Sequence, residues 1–118
     1  TIANIALDNI WAGMEDDSYK LWSSSIAAKL QHLFDSKNEE GFNIVYTTDG
    51  TKTEEKVLHP AGLLATIAQA SLISSDASAL RWVRIFWNTP MRTGDRRYYD
   101  NCLYMFAVLA LSGKYRIW

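Results

Sequence analysis

The stretch His59-Pro60-Ala61-Gly62-Leu63-Leu64-Ala65-Thr66-Ile67-Ala68-Gln69-Ala70-Ser71-Leu72-Ile73 is apolar or small around almost its whole circumference. Pro60 suits the first position of a helix, where its missing N–H is not needed and its fixed φ is already helical. A helix carrying Leu63, Leu64, Ile67, Ala70 and Ile73 with no broad polar face needs neighbours on several sides. The chain is therefore read outward from a central, buried third helix, and its fold class is all-α.

Toward the amino terminus, Ile2, Ile5, Ala6 and Ile10 recur at helical spacing and predict a first helix ending near Gly13. Asp16, Asp17 and Ser18 suit the cap of a second helix, with Tyr19, Trp22, Ile26, Leu30, Leu33 and Phe34 as its apolar face. Polar residues from Asp35 to Glu40, then Gly41, form its exit loop. The period then changes. Phe42, Ile44 and Tyr46 alternate, Asp49-Gly50 is a turn signal, and Thr51 to Val57 returns, which predicts a small β-hairpin inserted between helices.

Toward the carboxyl terminus, Ser75 or Asp76 caps a fourth helix with Leu80, Val83 and Trp87 on one side and Pro90 as its end. Thr89 to Arg97 is a basic loop. A fifth helix runs from Tyr98 to Ser112, with Gly113 as its stop. The third and fifth helices are too apolar for a five-helix domain that wets one side of each. Leu63, Leu64, Ile67, Leu103, Phe106 and Leu109 are expected to show apolar surface unless a larger helical assembly covers them.

The 118 residues are at most one small domain's worth, with 12 basic and 13 acidic side chains and a net charge of −1. That balance favours neither nucleic acid nor an anionic membrane as a partner. Runs such as Leu103 to Leu111 are far short of the roughly 20 residues that span a bilayer. The opening at Thr1, with no Met and no basic region before the first helix, suits a processed product or part of a longer chain. The compartment is left open, with a soluble cytoplasmic setting slightly favoured over secretion. Cys102 alone forms no intrachain disulfide and reads as a buried small hydrophobe. It shares no ligand spacing with His32 and His59, so no metal and no cofactor is expected.

Aromatic residues reach 13%, including five Trp and six Tyr. Core packing accounts for most of them. Trp11, Trp87, Tyr98 and Tyr99 stand near element ends, where flat rings can stack on sugar faces. Among the acids, only Asp8 on the first helix and Asp100 after Tyr98-Tyr99 have the apolar or aromatic surroundings that tune a catalytic carboxyl. For both, packing or capping is the competing reading. The others lie in polar runs. His32 reads as a surface or packing residue, while His59 sits on a Leu58-His59-Pro60 corner that can hold an imidazole at a site mouth.

Several motifs together resemble one family. They are Phe86-Trp87-Asn88-Thr89-Pro90, Arg92-Thr93-Gly94, Arg97-Tyr98-Tyr99-Asp100, Leu103-Tyr104 and Ser112-Gly113-Lys114-Tyr115-Arg116-Ile117-Trp118, with Ile5-Ala6-Leu7-Asp8 and Leu58-His59-Pro60-Ala61-Gly62-Leu63. In this order they resemble the carboxyl-terminal end of family 8 glycoside hydrolases, and within it the branch that releases xylose from the reducing end of xylo-oligosaccharides. The resemblance implies that residues 1–118 are the last third of a single (α/α)6 barrel domain. It implies an inverting mechanism with a Glu acid and an Asp base, neither of which falls among these residues. The base would belong to an Asp-Ala-x-Arg motif preceding Thr1, so no catalytic residue is expected here and the chain alone is expected to be inactive. It also implies that His59 hydrogen-bonds the reducing-end sugar, that Tyr98 and Tyr99 line the cleft, and that Arg97 and Asp100 support its wall. The implied partners are a xylo-oligosaccharide and either the remainder of the barrel or a second copy. A glucanase or chitosanase of the same family, or a non-catalytic helical carbohydrate-binding module, is the alternative.

Overall fold

The computed structural model describes residues 1–12, 15–36 and 43–116. Its elements are α1 (Ile2–Trp11), α2 (Asp17–Ser36), β1 (Ile44–Tyr46), β2 (Lys52–Lys56), α3 (Pro60–Gln69), α4 (Ala79–Trp87) and α5 (Arg97–Leu111). Among the described residues there are five α-helices and one hairpin, as the sequence predicts.

α3 is the hub. It buries Gly62, Leu64, Ala65, Ile67, Ala68 and Gln69. On one side Leu64 and Ile67 meet Phe34 of α2 and Trp82 of α4. On the other, Ala65 and Ala68 meet Phe86 and Ala107, where small side chains let α3 and α5 approach closely. A third cluster joins Ile2, Ala27 and Ala70. The α-helix stops at Gln69, short of the expected Ile73, and tightens into a 3-10 turn over Ala70–Leu72. Ser71 in that turn donates to Ala79 O and accepts from Gln31 Nε2, which ties α3 to α2 and α4.

Two helix faces differ from expectation. α2 turns Ser23, Ala27, Gln31 and Phe34 inward, whereas Trp22 is exposed. Small Ser23 and Ala27 allow a close approach to α1, where Asn9 Nδ2 donates to Ser23 Oγ at 2.6 Å; an indole would not fit that gap. α4 buries Trp82 and Phe86, while Leu80 and Trp87 point outward at 61% and 74% exposure. Two apolar stripes exist on that short helix, and packing against α3 selects the one with the larger aromatic pair. Leu64 and Ile67, expected to lack cover, are buried within the chain itself. Cys102 is half-buried rather than buried.

The caps follow the local sequence. Asp16 Oδ1 accepts from the N–H groups of Ser18 and Tyr19 at the start of α2. Gly113, at φ +69°, ends α5: its N–H donates to Ala110 O, and the next N–H, of Lys114, donates to Leu109 O. That double bond pattern is a Schellman motif, which needs the left-handed residue that glycine supplies. The hairpin pairs Ile44 with Lys56 and Tyr46 with Lys52, with an irregularity between them. Phe42, read from sequence as part of the first strand, lies outside the described residues, as does Gly13.

Candidate functional site

The Leu58-His59-Pro60 corner joins the hairpin to α3, and its geometry is fixed from behind. His59 is the residue before α3 and makes no side-chain cap bond of its own, so the first N–H groups of α3 need other acceptors. Asp100, in the first turn of α5, supplies one: its Oδ1 accepts from Gly62 N–H at 2.6 Å. A carboxylate there also meets the positive end of the α3 dipole. Asp100 is therefore a cap reaching across from a different helix, and it is completely buried.

Arg92 completes the clamp. Its Nη1 donates both to Asp100 Oδ2 and, at 2.7 Å, to Leu58 O, so one guanidinium links the buried carboxylate to the corner. Arg92 is itself held through its backbone. Its N–H donates to Asn101 Oδ1 and its carbonyl accepts from Asn101 Nδ2, both at 2.9 Å. Tyr104 adds a hydroxyl bond to Thr89 O at 3.0 Å. The loop before α5 is thus pinned by polar side chains of the helix that follows it.

His59 lies against this clamp with Nδ1 3.5 Å from Asp100 Oδ2, a separation whose alignment falls short of a hydrogen bond. The Tyr99 ring sits 4.7 Å from the imidazole, centroid to centroid, inclined by 58°. Both rings line a groove of about 760 Å³ bounded by the hairpin, α2 and α3, with Leu30, Leu33, Tyr46 and Leu63 among its walls. Tyr98 is 82% exposed. Arg97 is exposed, and its Nη1 donates to Gly94 O at 2.9 Å. Arg96 just before it adopts φ +62°, a left-handed conformation uncommon for a residue with a Cβ, in the turn that sets the start of α5.

Among the residues singled out from sequence, the fold brings His59, Tyr99 and Asp100 together. Tyr98 and Arg97 face outward from the same turn. Arg92, Gly62 and Asn101 were not singled out as site residues. Their signal was the Arg92-Thr93-Gly94 segment and the glycine two residues after Pro60, but pairing them with Asp100 requires the α3–α5 contact. Asp8 is exposed and accepts a hydrogen bond from the Tyr19 hydroxyl. It lines a separate depression with Trp11 and Tyr115, whose rings lie 5.3 Å apart. No group of three or more His, Cys, Asp or Glu among the described residues is placed to hold a metal ion.

No family profile matches the chain. Individual proteins do. A reducing-end xylose-releasing exo-oligoxylanase of Halalkalibacterium halodurans is 51% identical over 98% of the chain, and one of Bifidobacterium adolescentis is 48% identical over 98%. A crystal structure of a reducing-end-xylose releasing exo-oligoxylanase superposes with a TM-score of 0.87 at 49% identity, covering 99% of the chain. A variant of the Paenibacillus barcinonensis enzyme complexed with an arabinofuranosyl-xylotetraose superposes with a TM-score of 0.88 at 44% identity, covering 98%. The chain spans 29% and 30% of the length of the two curated relatives, and about 30% of the structural ones. The fold thus matches about 30% of a larger helical-barrel enzyme. More particularly, the chain is homologous, at 45–51% identity along its length, to reducing-end xylose-releasing exo-oligoxylanases, and it matches the carboxyl-terminal part of their structures.

Proposed function

We propose that residues 1–118 are the carboxyl-terminal portion of one barrel domain and form a wall of its xylo-oligosaccharide cleft, in an inverting hydrolase that releases xylose from the reducing end. The observation that carries this is the Leu58-His59-Pro60 corner. A half-buried imidazole is presented at a groove, backed by buried Asp100 with its half-buried partner Arg92 and flanked by Tyr99. Proteins 45–51% identical along this chain bear the name of that activity. Tyr98, exposed beside Tyr99, offers a second flat surface for a sugar ring. Asp100 acts behind the wall rather than on the sugar, because it is inaccessible, and exposed Arg97 braces the turn before α5 through Gly94 O.

In this reading neither Asp100 nor Asp8 is the acid or base of the reaction. Glycoside hydrolysis needs two carboxyls that reach the bond from opposite sides. Asp100 is buried and ion-paired, and Asp8 is bound to Tyr19 in a different depression.

The test is a chimera in which residues 1–118 replace the matching segment of the Halalkalibacterium halodurans relative. It is expected to release xylose from xylotriose and to reject xylotriose whose reducing end has been reduced. His59→Ala should lose about 1 kcal/mol of binding to that terminal unit, roughly a fivefold loss of selectivity, with the chemical step intact. If the variant merely melts lower and still rejects the reduced sugar as strongly as its parent, the recognition role of His59 is wrong.

A further inference from the structure

Behind the corner, a buried carboxylate faces a buried imidazole nitrogen. Asp100 Oδ1 is occupied by Gly62 N–H and Oδ2 by Arg92 Nη1. His59 Nδ1 lies 3.5 Å from Oδ2, is buried, and has no other partner among the described residues. A neutral imidazole carries one proton, and its surroundings choose the nitrogen. Were Nδ1 bare, its lone pair would face the carboxylate with no proton between two acceptors. With the proton on Nδ1, the positive N–H edge lies 3.5 Å from the anion, a charge–dipole attraction without a hydrogen bond. Tyr99, 4.7 Å away, packs on the ring and restricts its rotation.

We infer that Asp100, held by Arg92 and the Gly62 N–H, is a positioning residue that fixes neutral His59 as the Nδ1–H tautomer, leaving Nε2 toward the groove as a hydrogen-bond acceptor. Nδ1 is buried while 31% of the side chain is exposed, so the exposed part lies among its remaining atoms. An acceptor at Nε2 selects a ligand that brings a proton: a neutral sugar hydroxyl fits, and a carboxylate does not. This second half rests on the reading of His59 as the sugar-contacting residue; the tautomer does not.

The chain contains two histidines, His32 and His59, so a His32→Gln variant isolates one imidazole. Nitrogen-15 NMR of the histidine-labelled protein at a pH where the ring is neutral reads the tautomer directly. The expected spectrum has the proton-bearing nitrogen at Nδ1 and the bare nitrogen at Nε2. Asp100→Asn, which keeps the shape and removes the charge, is expected to move the population toward the Nε2–H form that free imidazole side chains prefer. A purely structural Asp100 would lower the melting temperature without moving the tautomer. An Nε2–H majority in the parent overturns the inference, and so does an unchanged tautomer in a folded Asp100→Asn protein. If that variant does not fold, the parent spectrum alone decides. An Nδ1–H parent, combined with unaltered selectivity in the His59→Ala chimera, would sink the sugar reading and leave this one standing.

Discussion

Gly62 stands where the first turn of α3 meets α5, and the contact leaves no room for a side chain. A Cβ built there would lie 2.8 Å from Leu103 Cδ1 and 3.1 Å from Asp100 Oδ1. The leucine methyl can swing away. Asp100 cannot, because Arg92 holds its other oxygen and the Gly62 N–H itself is bonded at 2.6 Å. Gly62→Ala should therefore cost about 1–3 kcal/mol, the usual range for overpacking. Chemical denaturation would read this as a lower midpoint at unchanged slope. A variant as stable as the parent would mean that the two helices have slack at this contact. Burial also explains why Asp100 needs two partners: an isolated buried carboxylate is costly, and pairing with Arg92 plus a helix N-terminus offsets that cost.

At the level of single elements, the hairpin carries a pH dependence of its own. Asp49 in its loop is held down to about 2, first by the Thr47 hydroxyl and then by the Thr51 N–H, from an ordinary 3.8. Its folded pKa thus lies below its unfolded one, so the charged form is favoured in the folded loop. The associated stability is present above about pH 4 and is lost as the pH falls toward about 2. Amide exchange at Thr51 should accelerate across that window, and in Asp49→Asn the acceleration should vanish. Because the group is exposed, the effect should remain local to the loop and leave the helical core unchanged. Equal acid sensitivity throughout the molecule would contradict this assignment.

For the whole molecule, the apolar residues that remain outside are informative. Leu80 and Trp87, seven residues apart on α4, share one outward stripe, and Met105 and Phe106 are exposed on α5. Exposed apolar patches of several hundred Å² mark surfaces that take a partner. The chain spans only 29% and 30% of the two curated relatives, and the proposed remainder of the barrel is the natural cover. The 118-residue chain on its own is expected to self-associate, with a sedimentation coefficient rising with concentration and with binding of an apolar dye. It is also expected to give no turnover of xylo-oligosaccharides above a mock preparation. A monomer with no dye-binding surface, or measurable hydrolysis, would count against the corresponding part of the proposal.

What could be read along the chain was whatever depends on neighbours a few residues apart. Pro60 at the start of α3, Asp16 before α2, Gly113 after α5 and the Asp49-Gly50 turn each declare themselves through local backbone chemistry, and the five helices and hairpin follow from them. His59 was legible for the same reason, since a Leu-His-Pro corner is a local object. The inward face of α4 was not, because Trp82–Phe86 and Leu80–Trp87 are both plausible stripes and only the surface of α3 chooses between them. Nor was the clamp behind His59. Gly62 and Asp100 are 38 residues apart and Leu58 and Arg92 are 34 apart, and no local preference registers such a pairing. The tertiary structure decided it, because burying a carboxylate between two packed helices forces every nearby donor to turn toward it.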